Sequence, residues 1–283
     1  MTATPLLPAT TRATGSAPPW RAAGERVTQL RVIGSEWTKF RSLRSTWITL
    51  GVAVLGVVGI GVLIAGVQSA NFAQLSAARR AEFEPIATTL NGVQLGQLAI
   101  GVLGVLFVSS EYSTGMIRAS LTAVPRRLPV LWAKAGLFAA VTFALMLPAT
   151  FVAFFVGQRL LDSHGLGTTL SAPAALRSVV GAALYLTVIG LLGIAFGAIT
   201  RNTAGGIAAL FGVLLVLPGI FAALPASWRD AAAKYLPNSA GHTLWWPRPD
   251  EVVLRPWVGF AVLCGYAALA LGVAALLLRR RDA

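Results

Sequence analysis

The sequence has little charge for its length and almost no cysteine. Of its 283 residues, 12% are charged and 56% are hydrophobic, and the mean hydropathy is +0.73. Soluble domains are usually about a quarter charged, so water is not the main solvent of this chain. The single cysteine, Cys264, lies inside an apolar run, which excludes a disulfide framework and a thiolate metal cluster.

Sequence motifs of nucleotide hydrolysis and metal catalysis are also missing. No Gly-Lys pair occurs, so the chain lacks a phosphate-binding loop of the Gly-Lys-Ser/Thr type. His164 and His242 do not have the spacing of a zinc site. The six apolar runs described next contain no Asp or Glu, which weakens the case for an ion-coupled transporter and argues against intramembrane aspartyl proteolysis. We therefore expect no enzyme activity, cofactor or metal.

Six apolar runs are long enough to be membrane-spanning helices, which need about 20 apolar residues. They cover residues 47–67, 93–108, 131–156, 179–199, 204–224 and 257–278. The short link at 200–203 makes the fourth and fifth helices an antiparallel hairpin. We predict an all-α, polytopic membrane domain over residues 47–278. It follows a disordered tail (1–25) and an amphipathic segment (26–46), and a basic tail (279–283) ends the chain.

The positions of Lys and Arg predict the orientation. With a cytoplasmic amino terminus, 15 of the 23 Lys and Arg residues fall on the cytoplasmic side, as positively charged flanks do in membrane proteins. Both termini are then cytoplasmic. The net charge of +13 is explained by these flanks and not by one basic face of a soluble domain, so we expect no nucleic-acid partner.

The segment before the first run has the pattern of a basic amphipathic helix. Apolar side chains recur at helical spacing at Leu30, Ile33, Trp37 and Phe40, and basic residues occupy other faces. Its role is either anchoring to anionic membrane lipid or contact with another protein. The candidate interface residues are Glu36, Trp37, Lys39, Arg41 and Arg44.

The connection between the second and third spans, residues 110–129, is too long and too patterned for a plain turn. Gly115 permits a sharp backbone turn, and Pro125 ends any helix before the arginines that follow. Met116, Ile117 and Leu121 form a short apolar stripe, which indicates docking into a groove of a partner protein. The candidate residues are Glu111, Tyr112, Ser113, Thr114, Gly115, Met116, Arg118, Pro125, Arg126 and Arg127.

These two segments resemble those of the permease subunits of type-2 ABC exporters, and the composition is similar to that of actinobacterial members. The similarity before the first span lies in Ser35-Glu36-Trp37-Thr38-Lys39 with Arg41-Ser42-Leu43-Arg44. After the second span it lies in Glu111-Tyr112-Ser113-Thr114-Gly115-Met116 followed by Pro125-Arg126-Arg127, and in Lys134. The resemblance implies an interfacial elbow helix at 26–46 and a coupling helix within 111–127 that contacts a separate ATPase subunit. It also implies a homodimer or heterodimer of permeases in the bacterial plasma membrane. The segment 225–256 is similar to the half-inserted outer helices of that family.

We therefore expect the transmembrane permease of an ATP-driven export system. The alternative is a secondary transporter, or another polytopic transport protein that is not coupled to ATP. Gln94 and Gln97 lie on one face at the start of the second span. They either line the translocation path or hydrogen-bond a neighbouring helix, because an unpaired carboxamide facing lipid is costly.

Overall fold

The computed structural model describes residues 29–42, 44–113, 127–247 and 254–280, and these residues form no β-strand. The α-helices, in chain order, are α1 (Gln29–Ser42), α2 (Arg44–Asn71), α3 (Ala77–Ala81), α4 (Pro85–Leu90), α5 (Val93–Ser113), α6 (Arg127–Asp162), α7 (Ala175–Thr200), α8 (Thr203–Phe211), α9 (Leu217–Ala222), α10 (Ala226–Ala232), α11 (Pro237–Trp245) and α12 (Pro256–Arg280). The predicted tail at 1–25 lies outside the described residues.

Six stretches of this chain are long and apolar enough to cross a membrane. They are Arg44–Gln74, Pro85–Tyr112, Leu128–Asp162, Ala175–Thr200, Thr203–Ala222 and Pro256–Arg280. The all-α prediction and the number of spans are confirmed, and the chain is a multi-pass membrane protein by the length and composition of its helices. The turn between α7 and α8 is as short as the sequence indicates, since α7 ends at Thr200 and α8 begins at Thr203.

The second and third spans are longer than their apolar runs. α5 continues to Ser113, so Glu111 and Tyr112 are helical and do not belong to the loop. α6 already begins at Arg127. The six apolar runs contain no Asp or Glu, but the longer helical stretches do: Pro85–Tyr112 includes Glu111, and Leu128–Asp162 ends on Asp162. The charged ends of both helices are stabilised by the contacts described below, which no local hydropathy pattern reveals.

The most buried of the spans is α7, and it packs most extensively against α5. Glycines allow the two backbones to approach. A methyl group on Gly193 would overlap the carbonyl oxygen of Gly101, and one on Gly104 would overlap that of Gly190. These small residues let the helices approach closely inside one bundle.

The outer helices present large apolar side chains on the surface. Ile48, Leu55 and Leu63 of α2 are 66%, 72% and 63% exposed, and Leu269 of α12 is 69% exposed. An apolar surface of this kind is typical of helices that contact the hydrocarbon chains of membrane lipids. α8 continues into α9 through a π-helical stretch, Gly212–Val216. Pro218 follows this stretch, and its missing amide hydrogen accounts for the locally widened turn.

The segment predicted to resemble half-inserted helices forms α10 and α11 in its described part. α11 packs against α7 and α12. Trp245, its last residue, is completely buried. This places the short helix on the bundle, although it is not itself long enough to be one of the six spans.

Candidate functional site

Four charged side chains from three helices meet where α1, the end of α5 and the start of α6 converge. Lys134 Nζ donates to Glu111 Oε1 at 2.8 Å and to Glu36 Oε2 at 2.5 Å. Lys39 Nζ donates to Glu36 Oε1 at 2.8 Å and, at 3.4 Å, to Glu111 Oε1. We call Glu36, Lys39, Glu111 and Lys134 the ion cluster. It joins residues that lie as far as 98 positions apart in sequence.

Three members of the ion cluster are almost completely buried. The side chains of Glu36, Lys134 and Glu111 are 2%, 3% and 7% exposed, whereas that of Lys39 is 30% exposed. Two carboxylates face two ammonium groups, so the formal charges cancel. This neutrality matters because an uncompensated buried charge costs several kcal/mol.

An aromatic ring closes the apolar side of the ion cluster. Lys134 Nζ lies 4.7 Å from the centroid of the Phe107 ring, within the range of a favourable cation–π contact. Phe107 also packs edge-on against Phe40 of α1, with 5.3 Å between ring centroids. Because Glu36 and Phe40 are four residues apart in α1, they lie on the same face of that helix. One face of α1 therefore supplies both an ionic and an aromatic contact.

One carboxylate oxygen of the ion cluster accepts no hydrogen bond from the described residues. Glu111 Oε1 receives both ammonium groups, and Glu111 Oε2 is buried without a hydrogen bond from any described residue. Glu111 lies two residues before the end of α5 at Ser113, next to the predicted coupling segment.

Lys39 keeps its charge at neutral pH. Burial by itself lowers the pKa of Lys39, but the hydrogen bond with Glu36 and the negative charges of Glu111 and Glu36 outweigh it, so the pKa is raised above the ordinary value of 10.5. α1 lies outside the six spans. This raised pKa keeps the ammonium of Lys39 available to both carboxylates over the physiological pH range.

The end of α5 is also attached to the turn between α7 and α8. The guanidinium of Arg201 lies 5.4 Å from the centroid of the Tyr112 ring. One turn earlier in α5, the hydroxyl oxygens of Ser109 and Thr203 are 2.8 Å apart. Two of the predicted loop residues, Glu111 and Tyr112, thus connect the end of α5 to three other parts of the bundle.

The structure separates the remaining predicted residues of the amphipathic segment from the ion cluster. Trp37 is 41% exposed, and Arg41 and Arg44 are also exposed. For Ser113 and Arg127, only the helical backbone is described. The predicted residues that lie outside the described residues are Thr114, Gly115, Met116, Arg118, Pro125 and Arg126.

The family resemblance included Glu36, Lys39, Glu111 and Lys134, but in separate motifs. It did not show that they touch. The sequence pattern placed the basic residues of this segment on other faces than the apolar one and assigned no face to Glu36, which is buried, as is Phe40. The available signals were the i, i+4 spacing of Glu36 and Phe40, the acid Glu111 at the start of the 110–129 connection and Lys134 shortly after its end.

A second polar network links α5, α7 and α11. Gln97 is buried, and its Nε2 donates to Gln94 Oε1 at 3.0 Å. The Tyr185 hydroxyl donates to Gln97 Oε1, and it lies 3.0 Å from Oδ1 of Asn238. Gln97 therefore hydrogen-bonds a neighbouring helix, and Gln94 is held by Gln97. The network satisfies polar groups that would otherwise be costly in an apolar interior.

Among the described residues, no group of three or more His, Cys, Asp and Glu side chains is arranged to hold a metal ion. No known family model matches the chain, and no curated protein matches it.

Proposed function

We propose that this protein is the transmembrane permease subunit of an ATP-driven exporter similar to the type-2 ABC exporters, with both termini in the cytoplasm of a bacterial cell. The observation that carries the proposal is the ion cluster. It joins α1 to α5 and α6, the two helices that lead into and out of segment 114–126. A lever that moves a helical bundle needs such a rigid attachment at its base.

The contacts define a route from the connecting segment into the bundle. Segment 114–126 begins where α5 ends and ends where α6 begins, so a push on it acts on both helices. Lys134 and Glu111 couple those two helices to each other. Glu36 joins α1 to α6, and Lys39 joins α1 to α5. α5 in turn packs against the central helix α7. In this mechanism a partner ATPase moves the segment, and the bundle alternates between inward and outward openings.

The partner has to supply the ATP chemistry. This chain has no Gly-Lys pair and therefore no phosphate-binding loop of the usual kind. The proposed assembly contains two permeases, identical or different, and two ATPase subunits. Arg41 in α1 and Arg44 at the start of α2 are exposed and would face anionic lipid at the cytoplasmic surface.

One observation favours a second candidate, a transporter driven by an ion gradient. Glu111 is a buried acid in a span, and one of its oxygens accepts no hydrogen bond from a described residue. Intramembrane acids of this kind mark ion pathways in many transporters. Against it, Glu111 is neutralised by Lys134 and Lys39. This second candidate requires transport that runs without an ATPase and stops when the ion gradient is collapsed.

The lever role is tested by placing charge on the apolar stripe of the connecting segment. The double variant Gly115→Asp/Met116→Asp should no longer co-purify with the ATPase subunit, because carboxylates buried in an apolar groove are strongly unfavourable. The matched control is Ser163→Asp/His164→Asp, which adds the same charge to an exposed turn after α6. The control should retain the ATPase. If the Gly115/Met116 variant keeps both the complex and its stimulated ATP hydrolysis, the lever role is wrong.

A further inference from the structure

A cavity of about 540 Å³ opens at the end of the bundle opposite the ion cluster. Its walls come from the last turns of α2, from the α3–α4 region and from Trp246, which follows α11. α2 begins next to α1 and runs for 28 residues, which corresponds to about 42 Å. The cavity and the ion cluster thus lie apart by about the thickness of a hydrocarbon core, about 30 Å. The cavity volume falls in the range of small-molecule sites, roughly 300–1,000 Å³.

We propose that this cavity binds an organic cation with an apolar body. Among the residues that the structure describes, the charged side chains of its lining are two acids, Glu82 and Glu84, and one base, Arg79. Glu84 is partly buried, and its carboxylate makes no hydrogen bond or ion pair with the residues that the structure describes. A carboxylate left in this state inside a partly enclosed cavity favours a positively charged ligand.

An aromatic wall faces the same space. Trp246 lines the cavity and stacks on His242, with 4.8 Å between ring centroids and 29° between ring planes. It also packs edge-on against the buried Trp245 at 5.8 Å. Tryptophan is the aromatic side chain that attracts cations most strongly. The two neighbouring rings hold Trp246 in place before a ligand arrives.

The imidazole of His242, which stacks on Trp246, does not repel a cation. His242 lies in α11, outside the six spans, and burial lowers its pKa to about 4. The imidazole is therefore neutral at physiological pH. A second wall is fixed by a hydrogen bond from Thr88 Oγ1 to Gln68 Oε1 at 3.3 Å, and Val67, Leu75 and Phe83 add apolar surface. The described lining combines apolar walls with one more acidic than basic side chain.

The test uses two probes of the same shape and opposite charge, tetraphenylphosphonium and tetraphenylborate. Binding to the full-length protein in nanodiscs of zwitterionic lipid is measured by equilibrium dialysis, with empty nanodiscs subtracted. We expect saturable binding of tetraphenylphosphonium, one per chain, and none of tetraphenylborate. Because the measurement needs neither ATP nor a partner, its result is independent of the proposed export function.

Substitutions distinguish binding in the cavity from non-specific attraction by the charges at this end of the bundle. Glu84→Gln and Trp246→Leu should each weaken tetraphenylphosphonium binding by roughly three- to tenfold, and Glu84→Asp should retain most of it. The matched control is Asp162→Asn, which removes an exposed carboxylate at the end of α6 and should leave binding unchanged. Elution as a single species and an unaltered unfolding midpoint establish that each variant is folded.

The proposal is overturned by either of two results. One is equal saturable binding of both probes, or of neither. The other is binding of tetraphenylphosphonium that folded Glu84→Gln and Trp246→Leu proteins retain at the affinity of the unmodified chain.

Discussion

Lys134 neutralises two carboxylates that are buried away from water. Its ammonium donates to Glu36 and to Glu111, and the ring of Phe107 covers it on the apolar side. Lys39 contacts the same two carboxylates but is 30% exposed. The two lysines therefore differ mainly in burial, and this difference sets the cost of losing each.

Replacing Lys134 by Met should destabilise the folded protein by about 3–5 kcal/mol, because two buried carboxylates lose their closest partner. The matched control Lys39→Met should cost about 1 kcal/mol or less, since water screens a half-exposed pair. Equilibrium unfolding in mixed detergent micelles, followed by tryptophan fluorescence, measures both free energies of unfolding.

A double variant distinguishes the effect of unpaired carboxylates from other effects of losing the lysine side chain. Adding Glu36→Gln to Lys134→Met should recover part of the stability, because it removes one of the unpaired charges. Equal destabilisation by the two lysine substitutions, or no recovery in the double variant, would contradict the assignment of a buried and neutral ion cluster.

At the scale of the helices, the close contact between α5 and α7 depends on missing side chains. Gly193→Ala places a methyl group against the carbonyl of Gly101, and backbone cannot move aside as a side chain can. We expect a loss of about 1–3 kcal/mol in the free energy of unfolding. The control is Gly136→Ala in α6, whose added methyl group meets no atom within 4 Å.

The control should be neutral or stabilising by up to about 1 kcal/mol, because alanine has the higher helix propensity. Both variants are compared by the same unfolding measurement in micelles. If the two substitutions have the same effect, the α5–α7 contact is not as close as described.

The sequence predicted the helices better than their ends. Apolar length is a local property, so all six spans and the short turn before Thr203 could be recognised from the chain alone. The extension of α5 to Ser113 could not, because the charge of Glu111 is neutralised by Lys134 in another helix and by Lys39 in α1. Pairing between distant segments leaves no periodic pattern in the sequence.

The ion cluster and the cavity also differ in how far the sequence could predict them. The members of the ion cluster were recognisable as separate motifs, but only the packing of α1 against α6 brings them together. The cavity gave no sequence signal at all. It depends on Trp246 facing the ends of α2 and the region of Glu84, and these residues have no shared motif.

At the scale of the whole molecule, two polar sites lie at opposite ends of an apolar bundle. One joins α1 to the two helices around segment 114–126. The other is an open cavity whose described lining carries two acids and one base. Between them, α5 packs along the central helix α7. In the proposed mechanism, the partner ATPase would act at the end of the bundle that carries the ion cluster.

The central claim is that a separate ATPase drives this chain. The most direct measurement is ATP hydrolysis by the complex that is purified through a tag on the full-length chain and reconstituted into liposomes. The account predicts a co-purified subunit with a Gly-Lys-Ser/Thr phosphate loop, and hydrolysis that stops when the lysine of that loop is replaced. A chain that purifies without such a subunit, and transports when only an ion gradient is supplied, would contradict it.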